Sequence, residues 1–185
     1  MSSIRTTFGL AALALASLAT PALADLYVGF GSGRSNMDDH LAGSSDELNA
    51  DETSEQFFFG IELGRHTALE FGRTDFGVLE DTITIGGLPT PTQFTADGRT
   101  ISLLFRDEIT DDLSLFLRAG VVDWDTVTDL NGGATVTYAS GQNGVFGFGA
   151  TFRASDHLTL RAEYTQYEVG DVDLMVPSFG ISYGF

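Results

Sequence analysis

Leu113–Asp125 reads LSLFLRAGVVDWD. Apolar side chains fall on every second position: Leu113, Leu115, Leu117, Ala119 and Val121. Arg118 and Gly120 stand between them on the opposite parity. A helix would need apolar residues at i, i+3 and i+4, so a period of two predicts a strand with two unlike faces. Working outward, the same alternation recurs. Phe57, Phe59, Ile61 and Leu63 share one face, as do Ile101, Leu103 and Phe105, and Phe146, Phe148, Ala150 and Phe152. Met175, Pro177, Phe179, Ile181, Tyr183 and Phe185 form another such row. Eight strands are predicted: Leu26–Gly33, Ser54–Gly64, His66–Gly77, Arg99–Glu108, Leu113–Asp125, Gly144–Ala154, Leu158–Val169 and Met175–Phe185.

The parity between the apolar rows is small, polar or charged. It holds Gly29, Gly31, Gly60, Gly72, Gly147, Gly149, Ser178 and Gly180, with Glu62, Glu70, Arg106, Arg118, Arg161 and Glu163. The chain has 22 Gly and 15 Phe in 185 residues, an unusual pairing for a soluble enzyme. Periodicity does not say which face points inward, but size does. An eight-stranded barrel has a lumen that side chains just fill. Glycines and paired charges fit that lumen better than rows of Phe, so the bulky face is expected to meet lipid. The predicted fold is an all-β, eight-stranded antiparallel up-and-down transmembrane barrel. Closure leaves no unpaired backbone edge in hydrocarbon, where such an edge could not be hydrated.

Short links are predicted at Gly64-Arg65-His66, Ile109–Asp112 and Ser155-Asp156-His157, and longer ones over Arg34–Thr53, Val78–Gly98 and Thr126–Asn143. Alternation of short and long links matches outer-membrane barrels with tight periplasmic turns and longer outer loops. The last eight residues, SFGISYGF, resemble the C-terminal signal by which bacterial outer-membrane proteins are recognised for assembly. Phe179, Ile181, Tyr183 and Phe185 would carry it, with the barrel-assembly machinery as partner. TALEFGRTDFG (67–77), LFLRAGVVDWD (115–125) and FRASDHLTLRAEY (152–164) resemble strands of the OmpA-like transmembrane barrel family. The resemblance covers the chain from residue 25 onward, and implies a structural or surface role in the envelope. Arg73 departs from the pattern, because the family usually has an aromatic on that lipid-facing parity; an Arg there must snorkel to an interface or be tolerated near the rim. No peptidoglycan-binding domain is expected beyond the barrel.

The resemblance also implies ion pairs across the lumen. Glu62, Glu70 and Glu163 share the inward parity with Arg106, Arg118 and Arg161. Buried charges need partners, since an unpaired one costs several kcal/mol. The six are therefore expected to form one interior network, either a plug that closes the lumen or a gate on a narrow channel.

Residues 1–24 have Arg5 as the only charge, an apolar run from Phe8 to Leu18, and Ala22-Leu23-Ala24 before Asp25. This predicts a secretory signal peptide cleaved between Ala24 and Asp25, leaving a barrel domain of residues 25–185 in the outer membrane. Nine Arg and no Lys face 26 acids, for a net charge of -17, which argues against nucleic acid because backbone phosphates would go unneutralised. With no Cys, disulfide scaffolds and thiolate chemistry are excluded.

Other motifs are weaker. Gly29, Gly31 and Gly33 alternate on a strand and open no helix, so they form no phosphate loop. Asp123, Asp125 and Asp129 with Asn131 and Gly132 miss the spacing of a calcium loop. Asp38, Asp39, Asp46, Glu47, Asp51 and Glu52 crowd the first outer link, where they serve as solubilising charge or gather divalent cations that bridge lipid headgroups. His40, His66 and His157 are spread over a loop and two turns, and Ser155-Asp156-His157 is turn chemistry rather than a catalytic triad. No catalytic residue and no cofactor is expected. A lipid-modifying membrane enzyme and a soluble periplasmic ligand-binding barrel are the competing readings.

Overall fold

A computed structural model describes residues 26–40, 47–85, 88–130, 135–170 and 172–185; side chains at 37–40, 47–51, 81, 83–85 and 135 are outside it. The predicted signal peptide, with Ala24 and Asp25, lies outside the described residues, as do Asp46, Asn131 and Gly132.

The eight strands are β1 (Leu26–His40), β2 (Glu47–Gly64), β3 (Thr67–Ile85), β4 (Leu88–Glu108), β5 (Leu113–Leu130), β6 (Thr135–Arg153), β7 (Leu158–Val169) and β8 (Val172–Gly184). Each pairs antiparallel with its sequence neighbours, and β8 closes on β1. The register sets the barrel's shape. Following cross-strand partners from Tyr27 passes through Gly60, Glu70, Ser102, Gly120, Val145, Tyr167 and Leu174. It returns to β1 at Met37, ten residues above its start. With ordinary strand spacing and rise, that stagger tilts the strands by about 40° and gives a backbone radius of about 8 Å. Such a lumen is filled by side chains.

The predicted face orientation holds. Phe57, Phe105, Leu117, Phe146, Phe148 and Phe179 stand exposed on the outer surface, while Glu70, Arg118, Arg161 and Glu163 are buried within. The short links are tight turns as expected. The long links differ from expectation. Pairing of β1 with β2 runs on to His40 and Glu47, β3 with β4 to Ile85 and Leu88, and β5 with β6 to Leu130 and Thr135. Most of the residues expected in outer loops therefore extend the barrel as a collar. The reason is inside it: Phe76, Leu79, Ala96, Val122, Trp124, Val145, Tyr167, Val169, Leu174 and Val176 form an apolar core that gives these upper strand segments something to pack on. A register irregularity between Asp75 and Val78, with Gly77 at φ 81°, bends β3 where the collar begins.

Candidate functional site: the charged layer of the lumen

Four of the six predicted network residues meet at one level. Arg118 on β5 donates through Nε to Glu163 Oε1 at 2.6 Å and through Nη2 to Glu70. Arg161 on β7 donates through Nη1 to Glu70 Oε2 at 2.8 Å, and its Nη2 lies 2.8 Å from Glu163 Oε2. Each carboxylate thus meets both guanidiniums. The side chains of Glu70, Arg118 and Glu163 are 1% exposed and that of Arg161 6%, so the four charges neutralise one another out of water. The planar, permanently charged guanidinium suits such a bridge, because its donors are fixed in a fork that two carboxylates can share.

Glu62 and Arg106 do not join this quartet. They pair with each other at 2.9 Å, partly exposed at the end carrying the short turns. The strand stagger explains the separation: inward residues on different strands share a level only after an offset that grows around the barrel, and these two fall below the other four. The expectation of one six-membered network is corrected to a buried quartet and a separate peripheral pair.

Sequence reasoning missed the aromatic frame. The Arg161 guanidinium lies over the Phe116 ring at 4.4 Å and the Phe58 ring at 4.9 Å, so two rings sandwich a buried cation. Tyr27 donates its hydroxyl to Glu70 Oε2 at 3.0 Å. The inward glycines make room for these rings. A Cβ on Gly60 would lie 2.0 Å from Tyr27 Cζ, one on Gly29 2.2 Å from Phe58 Cζ, and one on Gly149 2.5 Å from Phe116 Cζ. The visible signal was an aromatic on the inward parity directly across from a glycine, as Phe58 is from Gly29 and Phe116 from Gly149.

The lumen is layered. Tyr27, Phe58, Ala68, Leu104 and Phe116 form an apolar cluster around and below the quartet. Above it, Gln56 donates to the Tyr167 hydroxyl at 3.2 Å, and Thr74 sits 3.4 Å from the same oxygen. Higher still is the collar core, where Trp124 donates to Asn143 Oδ1 at 2.7 Å. Polar and apolar layers alternate along the axis.

The remaining predicted residues lie elsewhere. Phe179, Ile181 and Tyr183 face outward on β8; Phe185 packs edge-on against Tyr183 at 5.4 Å and donates its backbone N–H to Leu26. His66 and His157 are exposed at short turns, in hydrogen-bond contact with the backbone carbonyls of Arg106 and Gly184. The His40 side chain is outside the described residues. Asp123 is exposed and accepts from Gln142 at 3.1 Å; among the described residues no group of His, Asp and Glu is arranged to hold a metal. At the turn rim, Arg65 donates to Glu108 at 2.9 Å, and that bond holds the Glu108 carboxyl below its ordinary value.

A closed antiparallel barrel with an apolar exterior and a charged, filled lumen defines a transmembrane β-barrel of the small, non-porin size. The OmpA-like transmembrane domain family matches residues 21–181, and the chain belongs to it: it is an outer-membrane β-barrel of that type. No curated protein matches the sequence. Solved structures share the fold at low identity. Neisserial surface protein A superposes with a TM-score of 0.64 at 15% identity, covering 87% of this chain and 97% of that one. The outer membrane protein OprG of Pseudomonas aeruginosa gives 0.64 at 15%, over 88% and 96%. The attachment invasion locus protein Ail of Yersinia pestis, in complex with the heparin analogue sucrose octasulfate, gives 0.59 at 15%, over 86% and 97%.

Proposed function

We propose that this chain is a structural and surface-display protein of the outer membrane, its lumen plugged by the Glu70–Arg118–Arg161–Glu163 quartet. The observation that carries the reading is the position of the quartet between apolar layers. The Tyr27–Phe58–Phe116 cluster lies around and below it, and the collar core above. Opening a path for ions would break four short ion pairs and expose unpaired charge in a low-dielectric interior, at several kcal/mol per ion. Planar-bilayer recordings of the purified protein should show no large stable conductance. Steady openings of uniform size would overturn the plug and favour a channel.

Its role in the envelope would be integrity, adhesion or resistance, with no catalytic step. His66 and His157 fit this reading, since each sits at a short turn with its ring in contact with a backbone carbonyl. The collar carries Glu55, Asp75, Asp97, Asp123 and Asp125 on its outer surface, which repels a polysulfated ligand of the kind bound to Ail and favours a cationic partner or divalent cations. Residues 1–24 would be removed on export by cleavage between Ala24 and Asp25, and N-terminal sequencing of the membrane-extracted protein should begin at Asp25. Assembly would be guided by Phe179, Ile181, Tyr183 and Phe185. Deleting Phe185 should reduce the heat-modifiable, folded fraction in membranes far more than deleting an outer-collar residue, and equal assembly of both would contradict that role.

A further inference from the structure

The upper part of β6 is paired on one side only. It pairs with β5 from Thr135 opposite Leu130 downward, but with β7 only from Val145 opposite Tyr167 downward. The β7–β8 hairpin turns back between Val169 and Val172, so the line of β7 stops while β6 continues. Val136 to Ser140 are exposed at every position, inward parity included. Two contacts give the direction of the unused backbone groups. The Gly144 N–H, where pairing with β7 ends, donates to Glu168 on β7 at 3.1 Å, and the Ala139 carbonyl accepts from Thr126 on β5 at 3.4 Å. Antiparallel pairing turns alternate residues toward alternate neighbours. Val136, Tyr138, Ser140 and Gln142 therefore share the direction of Gly144 and aim their N–H and C=O groups away from β5, where no described strand receives them.

Free edges are normally blunted by Lys, Pro or an inward-pointing charge. Thr135–Asn143 reads TVTYASGQN, which has none of these and opens with strand formers. The surroundings say what fits beside it. Asp123 and Asp125 are exposed on the outer face of the neighbouring strand, across from Gln142 and Ser140, and Glu168 faces Asp173 at the foot of the gap. The cations of β6, β7 and β8 are Arg153 at the short turns and the buried Arg161, both far below. On the inner face Leu130, Phe94 and Val172 are partly buried against the collar core. An incoming strand thus meets carboxylates with its outward side chains and apolar surface with its inward ones. A second copy of the chain fits poorly. At a net charge of -17 it is repelled, and in the same membrane its β6 would cross this one at twice the strand tilt instead of aligning with it.

We propose that the Val136–Gln142 edge of β6 takes up an extended segment of a basic polypeptide as an added antiparallel strand. The segment lies in the line that β7 vacates, with cationic side chains outward and apolar ones inward in alternation. Main-chain hydrogen bonds supply the affinity and the alternation supplies the specificity. This docking rests on the surface-display reading and names its class of partner; it does not depend on whether the lumen is plugged.

The test is a binding titration of the full folded chain in lipid nanodiscs. The probe is a synthetic peptide of the edge's length in which lysine and valine alternate. Wild type should bind it about tenfold more tightly than a peptide with the same residues in two blocks, or one with glutamate for lysine. Equal affinity for either control would overturn the alternating basic partner. Methylating the peptide's backbone nitrogens on one parity should abolish binding, and on the other parity should leave it. Equal effects of the two would overturn strand addition. Ser140→Pro deletes an N–H that β5 does not use, so it should keep the fold, read by heat-modifiability on gels, and weaken binding about tenfold. Wild-type affinity in that variant would overturn the edge. Tyr138→Cys, treated on intact cells with a membrane-impermeant maleimide, reports display separately. Labelling without peptide binding would overturn the docking alone, and no labelling would overturn the display on which it rests.

Discussion

The lower and upper halves of this barrel use the same eight strands with opposite polarity. In the membrane band the outside is Leu115, Leu117, Phe146 and Phe148, and the inside is Arg118, Arg161, Glu70 and Glu163. In the collar the outside is Asp123, Asp125, Asp75 and Asp97, and the inside is Val122, Trp124, Phe76 and Leu174. The switch occurs within single strands. On β5 it falls between Val121, which is exposed, and Val122, which is 0% exposed. Backbone pairing does not change across it, only the solvent outside. The band is an inverted protein, lipid outside and ions within; the collar is an ordinary one, with water outside and a greasy core. The hydrophobic effect stabilises the collar core, whereas in the band hydrocarbon lies outside and the lumen is held by ion pairs, hydrogen bonds and packing.

The contrast predicts different responses to equivalent changes. Arg118→Ala leaves Glu70 and Glu163 without one of their two partners and should destabilise the folded barrel by about 3–5 kcal/mol, read as a lower urea midpoint in detergent or lipid. Leu174→Ala opens a cavity in the collar core and should cost about 2–5 kcal/mol in the same assay. An unchanged midpoint for Arg118→Ala with a large loss for Leu174→Ala would place the stability of the whole barrel in the collar. Leu117→Arg puts a charge on the lipid face of the band, worth about 2–4 kcal/mol if its site is near the midplane. The same face six residues higher is wet, so Asp123→Asn should shift the midpoint by no more than about 0.5 kcal/mol. Comparable penalties at 117 and 123 would erase the distinction between the two halves.

The two halves also differ in how much their residues announce. In the band, strict alternation around Arg118 and through Phe146, Phe148 and Phe152 was enough to give strands, facing and a set of six inward charges that contains the quartet. In the collar, Asp123, Trp124 and Asp125 keep the period but exchange its chemistry. A rule that seeks one apolar parity per strand therefore stops at the switch and assigns the remainder to loops. β4 runs straight through Pro89 and Pro91, residues that ordinarily mark turns. The split between the quartet and Glu62–Arg106 was illegible for another reason. It depends on stagger, which is a property of strand pairing rather than of any one segment. Gly29, Gly60 and Gly149 were seen as small residues suited to a narrow lumen. Their specific work, admitting Phe58, Tyr27 and Phe116 against the ions, appears only across strands.

The inversion can be read directly along β5. The chain contains no Cys, so single cysteines at positions 115, 117, 119, 121, 123 and 125 can each carry a spin label in lipid vesicles. Collision with dissolved oxygen, which concentrates in hydrocarbon, should dominate from 115 to 121. Collision with a water-soluble nickel complex should dominate at 123 and 125, with the crossover after Val121. Nickel dominance at 115 and 117, or an oxygen signal that continues unchanged through 125, would contradict the account.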